Sequence, residues 1–356
     1  RIRQEEYRPE RIKEEGDMSA PKQSEGTMGP ATLITEENRS WKDLFLQWET
    51  LLVGVLLLVF LVNSWISPYF LSWYSIINTP ATFLDKAFIV FPMILVIILG
   101  RIDISVGSTV ALSAVIMAVS YNAGVPMPLA MVICLLVGTA AGAINGLLMV
   151  KFKELSFVIV TLSTMIIYRG IAYIILGDQA SGGFPEWYTF LGWGSVLGIP
   201  FIFIVFAVFA VLFGLLLHRT SFGRLVYGMG FNSETVRYSG IRTDRVIFIV
   251  FTLAGLMSAI TAIFLTSRMG STRPNVAQGY ELEVITMVAL GGVSTSGGIG
   301  KIGGPILAVF IIGFLSYGMG LANLQAPIVL VVIGMLLILS VLANKIRIGG
   351  MKRKKL

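Results

Sequence analysis

The sequence predicts an all-α integral membrane protein of about ten transmembrane helices, and three observations carry that prediction. Hydrophobic residues make up 55% of the 356-residue chain and charged residues 13%, about half the charged share of a soluble domain, and the mean hydropathy is +0.82. Uncharged runs such as 50–66 and 201–217 match the roughly 17–25 apolar residues that a spanning helix needs. These runs are continuous, whereas a membrane β-barrel shows alternation in segments of about 10 residues. In lipid the backbone must satisfy its own hydrogen bonds, so a continuous apolar run is read as helix.

Taken in order, residues 1–49 stand apart, holding 11 of the 20 acidic residues. Mixed charge with few apolar residues predicts a disordered or partly helical cytoplasmic tail. The chain opens on Arg1, and Met18 and Met28 are candidate natural starts. A transmembrane domain is expected over 50–344, followed by a basic cytoplasmic tail over 345–356. Ten apolar segments follow the first tail: 50–66, 87–99, 106–120, 128–150, 156–176, 199–217, 246–266, 281–293, 303–320 and 326–343. Segments 87–99 and 281–293 are too short to cross alone, and short Gly-interrupted segments often line a central cavity.

Lys and Arg in short loops set the orientation. With the first tail inside, alternation places 15 of them in inside loops and the last tail, and three outside: Lys86, Arg268 and Arg273. Both termini are therefore expected in the cytoplasm. Segments two to five and seven to ten begin on opposite sides, the arrangement of an inverted repeat, although the two halves show no convincing sequence match.

Four motifs carry candidate chemistry. The stretch Gly100-Arg101-Ile102-Asp103-Ile104-Ser105-Val106-Gly107-Ser108 places charges beside a membrane segment, where they are rare and usually line a polar path. Asp103, Ser105, Ser108 and the nearby Asn145 are candidate path residues. The alternatives are a structural Arg101–Asp103 ion pair, hydroxyls of Ser105 and Ser108 bonded back to the helix, and an Asn145 that only joins two helices. The loop 218–245 is the longest inside loop after the first tail. Gly223, Gly230 and Gly240 permit tight turns there around a short helix near 232–239, with Asn232 as its cap. It is a candidate docking surface through Arg224, Asn232, Arg237, Gly240 and Ile241, or else a basic membrane anchor. The run 291–305 contains a G-x-G-x-x-G match at 298–303 that we read as a close-packed inside turn, because apolar membrane segments flank it in place of a βαβ unit. Gly138, Gly142 and Gly146 recur every fourth position and predict close helix packing.

What is missing bounds the chemistry. His218 is the only histidine and Cys134 the only cysteine, so no metal site, no Ser-His-Asp triad and no internal disulfide is expected. No Walker motif is present, so no nucleotide cofactor is expected on this chain. The basic charge follows membrane orientation, so nucleic acid is not an expected partner. Glu281 and Glu283 read as solvated loop acids. Asp103 and Arg169 are the ionisable residues expected inside spans, too few for an ion-coupled carrier, which is the competing class.

As an ordered set, these motifs resemble the ribose-type permeases of bacterial ATP-binding-cassette sugar importers. The family pattern before the third segment is similar to Gly100 through Ser108. Its cytoplasmic loop is similar to Thr220, Gly223-Arg224, Gly230, Asn232 and Ser239-Gly240-Ile241, and its late motif to Leu290-Gly291-Gly292, Gly297-Gly298 and Gly300. The resemblance runs from about residue 50 to 344 and departs at Arg101, where Gly is usual, and over 233–237, where Ala-rich sequence is usual. Gly177-Asp178-Gln179 and the stretch 182–187 are most similar to the rhamnose and autoinducer-2 branch. The resemblance implies ten helices, a second permease copy or paralogue, two cytoplasmic ATPase subunits that use the ATP, and a periplasmic substrate-binding protein. The long outside loop 177–198 is the candidate contact for that protein, through Asp178, Glu186 and Trp187.

Overall fold

The structure is a computed structural model that describes residues 48–353. The tail expected over 1–49 lies outside the described residues, apart from Trp48 and Glu49, which open the first helix. Each of the ten apolar segments is helical. In chain order, α1 is Trp48–Ile66, α2 Trp73–Asn78, α3 Leu84–Ile98, α4 Val106–Asn122, α5 Met127–Lys151 and α6 Phe157–Leu176. Then follow α7 Glu186–Trp193, α8 Phe201–Arg219, α9 Ser221–Tyr238, α10 Thr243–Met269, α11 Tyr280–Leu290, α12 Gly303–Leu321 and α13 Ala326–Arg353. The backbone of α13 runs on through Arg353, so the basic segment expected as a tail from 345 starts as helix.

Length and composition distinguish these helices. Among the described residues six are long and apolar enough to cross a membrane: α1, α5, α6, α8, α10 and α12. A seventh crossing arises if α2 and α3 form one span, bent by 56° at a break that follows the 3₁₀ turn Thr79–Thr82. The expected count of ten crossings therefore exceeds what helix length and composition support. The apolar segments are all present, but α4 and α11 are short, and α11 has only 11 residues. Exposed Trp65, Tyr69, Trp73 and Tyr74 fall at the end of α1, in the link that follows and at the start of α2, the distribution of an interfacial aromatic belt.

The core is built around α3, whose residues 87–98 are all buried, packed against α10. On either side the packing repeats: α4 lies against α5, α6 and α10, and α11 lies against α12, α13 and α3. Exchanging α3 with α10, α4 with α11, α5 with α12 and α6 with α13 turns one set into the other, as an inverted repeat requires. The glycine series behaves as its spacing predicts. A Cβ on Gly138 would meet the Ala259 Cβ at 2.6 Å, and one on Gly142 would meet the Gly255 Cα at 2.8 Å. Cys134 is buried on the same seam, with its Sγ 3.6 Å from the Ala259 carbonyl oxygen. His218 is exposed at the end of α8.

Two small strand pairs finish one face. Ser181–Gly182 (β1) pairs antiparallel with Ser271–Thr272 (β4), tying the loop after α6 to the loop after α10. Ser195–Val196 (β2) and Ile199–Pro200 (β3) form a hairpin whose turn residues Leu197 and Gly198 both have positive φ, as a two-residue type I′ turn demands.

Candidate functional site: two helix starts that meet

The polar centre begins where α3 stops. Gly100 takes a φ of +72°, and the chain runs without helix to Ser105 before α4 starts. Asp103, 2% exposed, accepts hydrogen bonds from the Ser105 backbone N–H at 2.9 Å and from its hydroxyl at 2.7 Å. Asn145 Nδ2 donates to Ser105 Oγ at 2.7 Å, and the Tyr168 hydroxyl lies 3.1 Å from Asn145 Oδ1 while donating to the Ala141 carbonyl at 2.9 Å. Asp103, Ser105 and Asn145 thus join the α3–α4 break to α5 and α6 in one closed network. A carboxylate at the first turn of a helix also complements the helix dipole. The Arg101–Asp103 ion pair does not form. The Arg101 guanidinium lies over the Phe157 ring, 3.9 Å from its centroid, and its buried Nη1 has no partner.

The starts of α4 and α11 meet. A Cβ on Gly107 would collide with the Glu281 carboxylate and come within 2.6 Å of the Ala277 carbonyl oxygen, so only glycine allows this approach. From there the two helices diverge. α4 ends at Asn122, whose amide donates to Ser181 Oγ on the β1–β4 face at 2.8 Å. α11 ends at Leu290, whose carbonyl accepts from Trp48 Nε1 at 2.9 Å. Past the midpoint of the 20-residue α6, Arg169 Nη1 donates to the carbonyls of Pro274 and Val276, both at 2.6 Å, and holds the loop before α11 in place. Ser108, Met165, Arg169, Tyr173, Gln278 and Glu281 line a cavity of about 360 Å³ beside this junction. Of the expected path residues, Ser108 alone lines it.

Glu281 and Glu283 are not solvated loop acids. Glu283 pairs with Lys86 and Glu281 stands half-buried at the cavity. A second ion pair joins Asp85, fully buried, to Arg268 at 2.7 Å. The signal that could have found the cavity was Arg169, a lone cation in an apolar run. Exposed Gln278 and half-buried Glu281 carried none, because their place at the cavity depends on how the loop before α11 folds.

The loop expected to dock a partner is α9 with its flanks. Thr220 caps it, accepting from the Gly223 N–H at 3.2 Å. At Asn232 the backbone leaves helical geometry (φ −160°, ψ 101°), and the Asn232 side chain accepts from the Thr235 N–H at 3.0 Å. A short second helix therefore starts at 233, as expected, and Gly240 with a φ of +80° follows its end. Arg224, Asn232, Arg237 and Gly240 are exposed and Ile241 is half-buried. Gly223 and Gly230 differ from expectation. Neither is a turn: Gly230 lies in helix, with its missing Cβ directed at the Ile98 carbonyl oxygen and the Gly298 backbone. The Tyr227 hydroxyl donates to the Gly300 carbonyl at 2.6 Å, and the Gly298 N–H to the Ile98 carbonyl at 2.8 Å. On the β1–β4 face, Asp178, Glu186 and Trp187 are exposed beside a fully buried Tyr188, whose hydroxyl donates to the Ile263 carbonyl at 2.7 Å.

Bundled apolar helices around a break with two helix starts have the form of a membrane transport protein. Residues 75–341 match the family of branched-chain amino acid transport system permease components, and the chain belongs to that family. It is 38% identical to the ribose import permease protein RbsC of Bacillus subtilis over 88% of this chain and 97% of the relative. It is 34% identical to the autoinducer 2 import system permease protein LsrD of Salmonella typhimurium over 84% of this chain and 92% of the relative, and 32% identical to the LsrD of Escherichia coli O9:H4 over 86% and 95%. No solved structure matches.

Proposed function

We propose that this chain is the membrane-spanning subunit of an ATP-binding-cassette importer that carries a monosaccharide or related small polyol, of ribose, rhamnose or autoinducer-2 type, across a bacterial inner membrane. The observation that carries this reading is near full-length similarity to import permeases for ribose and for autoinducer 2. ATP hydrolysis then belongs to a separate ATPase chain on the cytoplasmic side, where both termini lie. A periplasmic substrate-binding protein docks on 177–198, and a second permease copy or paralogue completes the passage. The exposed 233–238 helix, capped by Asn232 and closed by Gly240, has the form of a coupling surface: short, polar and anchored through Gly230 to the transmembrane core.

The test is co-purification of the ATPase together with sugar uptake. Gly240→Trp, and Arg224→Asp combined with Ile241→Asp, are expected to leave the permease in the membrane, release the ATPase and abolish uptake. Removing interface anchors typically costs about 1–4 kcal/mol, or roughly 5- to 1,000-fold in affinity. Normal co-purification with normal uptake in both variants would place the coupling surface elsewhere, with the 291–304 turn as the next candidate.

A further inference from the structure

The cavity at the α4–α11 junction contains polar atoms that the fold leaves without partners. Ser108 Oγ and Glu281 Oε2 are buried and unbonded, and Ser108 is 1% exposed. Glu281 Oε1 is engaged by the Gly279 N–H at 3.2 Å, so one oxygen is held and the other, packed against Gly107, has no hydrogen-bond partner. Arg169 shares the cavity with Glu281 without pairing to it, its Nη1 being committed to the Pro274 and Val276 carbonyls. Buried polar groups are almost always bonded, and each exception needs a reason. An ionisable group in a membrane interior normally faces a polar passage or a partner. The volume, about 360 Å³, lies at the small end of the range for small-molecule sites, roughly 300–1,000 Å³.

We propose that this cavity is a mid-membrane subsite for an uncharged vicinal diol of the transported solute. Glu281 Oε2 accepts from one hydroxyl, and Ser108 Oγ exchanges a hydrogen bond with the adjacent one. A carboxylate and a guanidinium on the same cavity balance each other's charge, which disfavours a free ion. A hydroxyl can donate to the acid and accept from the serine or from a remaining Arg169 N–H. Met165 supplies an apolar wall for the carbon face of the solute. Gly107 positions the acid, since any side chain there would displace the Glu281 carboxylate. The proposal rests on the permease reading above and deepens it by assigning the site.

The experiment uses the complete importer, permease with its ATPase and binding protein, in proteoliposomes, with radiolabelled D-ribose and L-rhamnose as probes. Ser108→Ala and Glu281→Gln are each expected to lower uptake by about tenfold or more, the loss of one buried hydrogen bond, while the ATPase still co-purifies. Wild-type uptake in both variants overturns the subsite and leaves the permease reading intact. Absence of uptake and of ATPase co-purification in the unmodified protein sinks the permease reading instead. A second measurement needs neither substrate identity nor tolerance of those variants. In a Cys134→Ala background, Ser108→Cys is expected to react with a water-soluble methanethiosulfonate reagent during ATP turnover and to be protected by the transported sugar, whereas Ser113→Cys stays unreactive. An unreactive Ser108→Cys, or one that sugar does not protect, overturns the subsite.

Discussion

Replacing Gly142 with alanine probes the seam between α5 and α10. A Cβ at this position would stand 2.8 Å from both the Cα and the N of Gly255, and closer still to the Phe251 carbonyl oxygen. All three neighbours are backbone atoms of α10, so no side chain can swing away and the helices must separate. Overpacking of this kind costs about 1–3 kcal/mol. Alanine also returns roughly 0.5–1 kcal/mol relative to glycine within a helix. Because the obstruction is rigid, the upper part of the range applies, and the net destabilisation is about 2 kcal/mol. At about 2–4 °C per kcal/mol, the thermal midpoint in detergent should fall by roughly 4–8 °C. Gly54→Ala is the matched control, since nothing lies within 4 Å of its Cβ in α1, and it should be neutral or slightly stabilising. Adding Gly255→Ala to Gly142→Ala should cost less than the sum of the single changes, because both open the same contact. Thermal unfolding of the purified permease, followed by intrinsic fluorescence, reads all four variants. A Gly142→Ala protein as stable as Gly54→Ala would refute the reasoning.

Two further predictions concern the outer face. With Cys134 replaced by alanine, Gln179→Cys and Arg273→Cys should be modified in intact cells by an impermeant thiol reagent, since 15 of the 18 Lys and Arg assigned to loops and the last tail fall on the opposite side; protection of both sites would reverse the topology. Glu186→Cys, exposed at the start of α7, should cross-link to the cognate binding protein, and failure at Asp178, Glu186 and Trp187 alike would remove 177–198 as the docking loop.

Much of the scaffold was legible because the signals are local. Ten apolar runs became ten helices, the Gly138–Gly146 spacing became the α5–α10 seam, and Asn232 with Gly240 marked a short helix that forms between them. Whatever depends on depth or on a distant partner was not. Arg101 and Asp103 sit two residues apart, yet the acid is satisfied by Ser105, which is in turn held by Asn145, and the guanidinium lies on Phe157. Glu281 resembles a surface acid in sequence and stands half-buried at the cavity, next to a loop that Arg169 holds through the Pro274 and Val276 carbonyls. Gly230 looks like a turn former until the Ile98 carbonyl and the Gly298 backbone are found against it. Crossing number is a further case: apolar runs reveal where helices form, whereas α4 and α11 are too short to declare that each traverses the bilayer.

The contact among Gly100, Gly230, Gly297 and Gly298 has a mechanical consequence. Side chains at a joint can rotate among rotamers and absorb a push as slack. Here main chain bears on main chain: a Cβ on Gly297 would meet the Gly100 N at 3.0 Å and the Gly230 carbonyl oxygen at 2.8 Å, and the Gly298 amide is latched to the Ile98 carbonyl. A joint of this kind has almost no backlash. A displacement of α9 would bear directly on the end of α3, and eight residues later lies the start of α4, beside the one wall of the cavity that Ser108 provides.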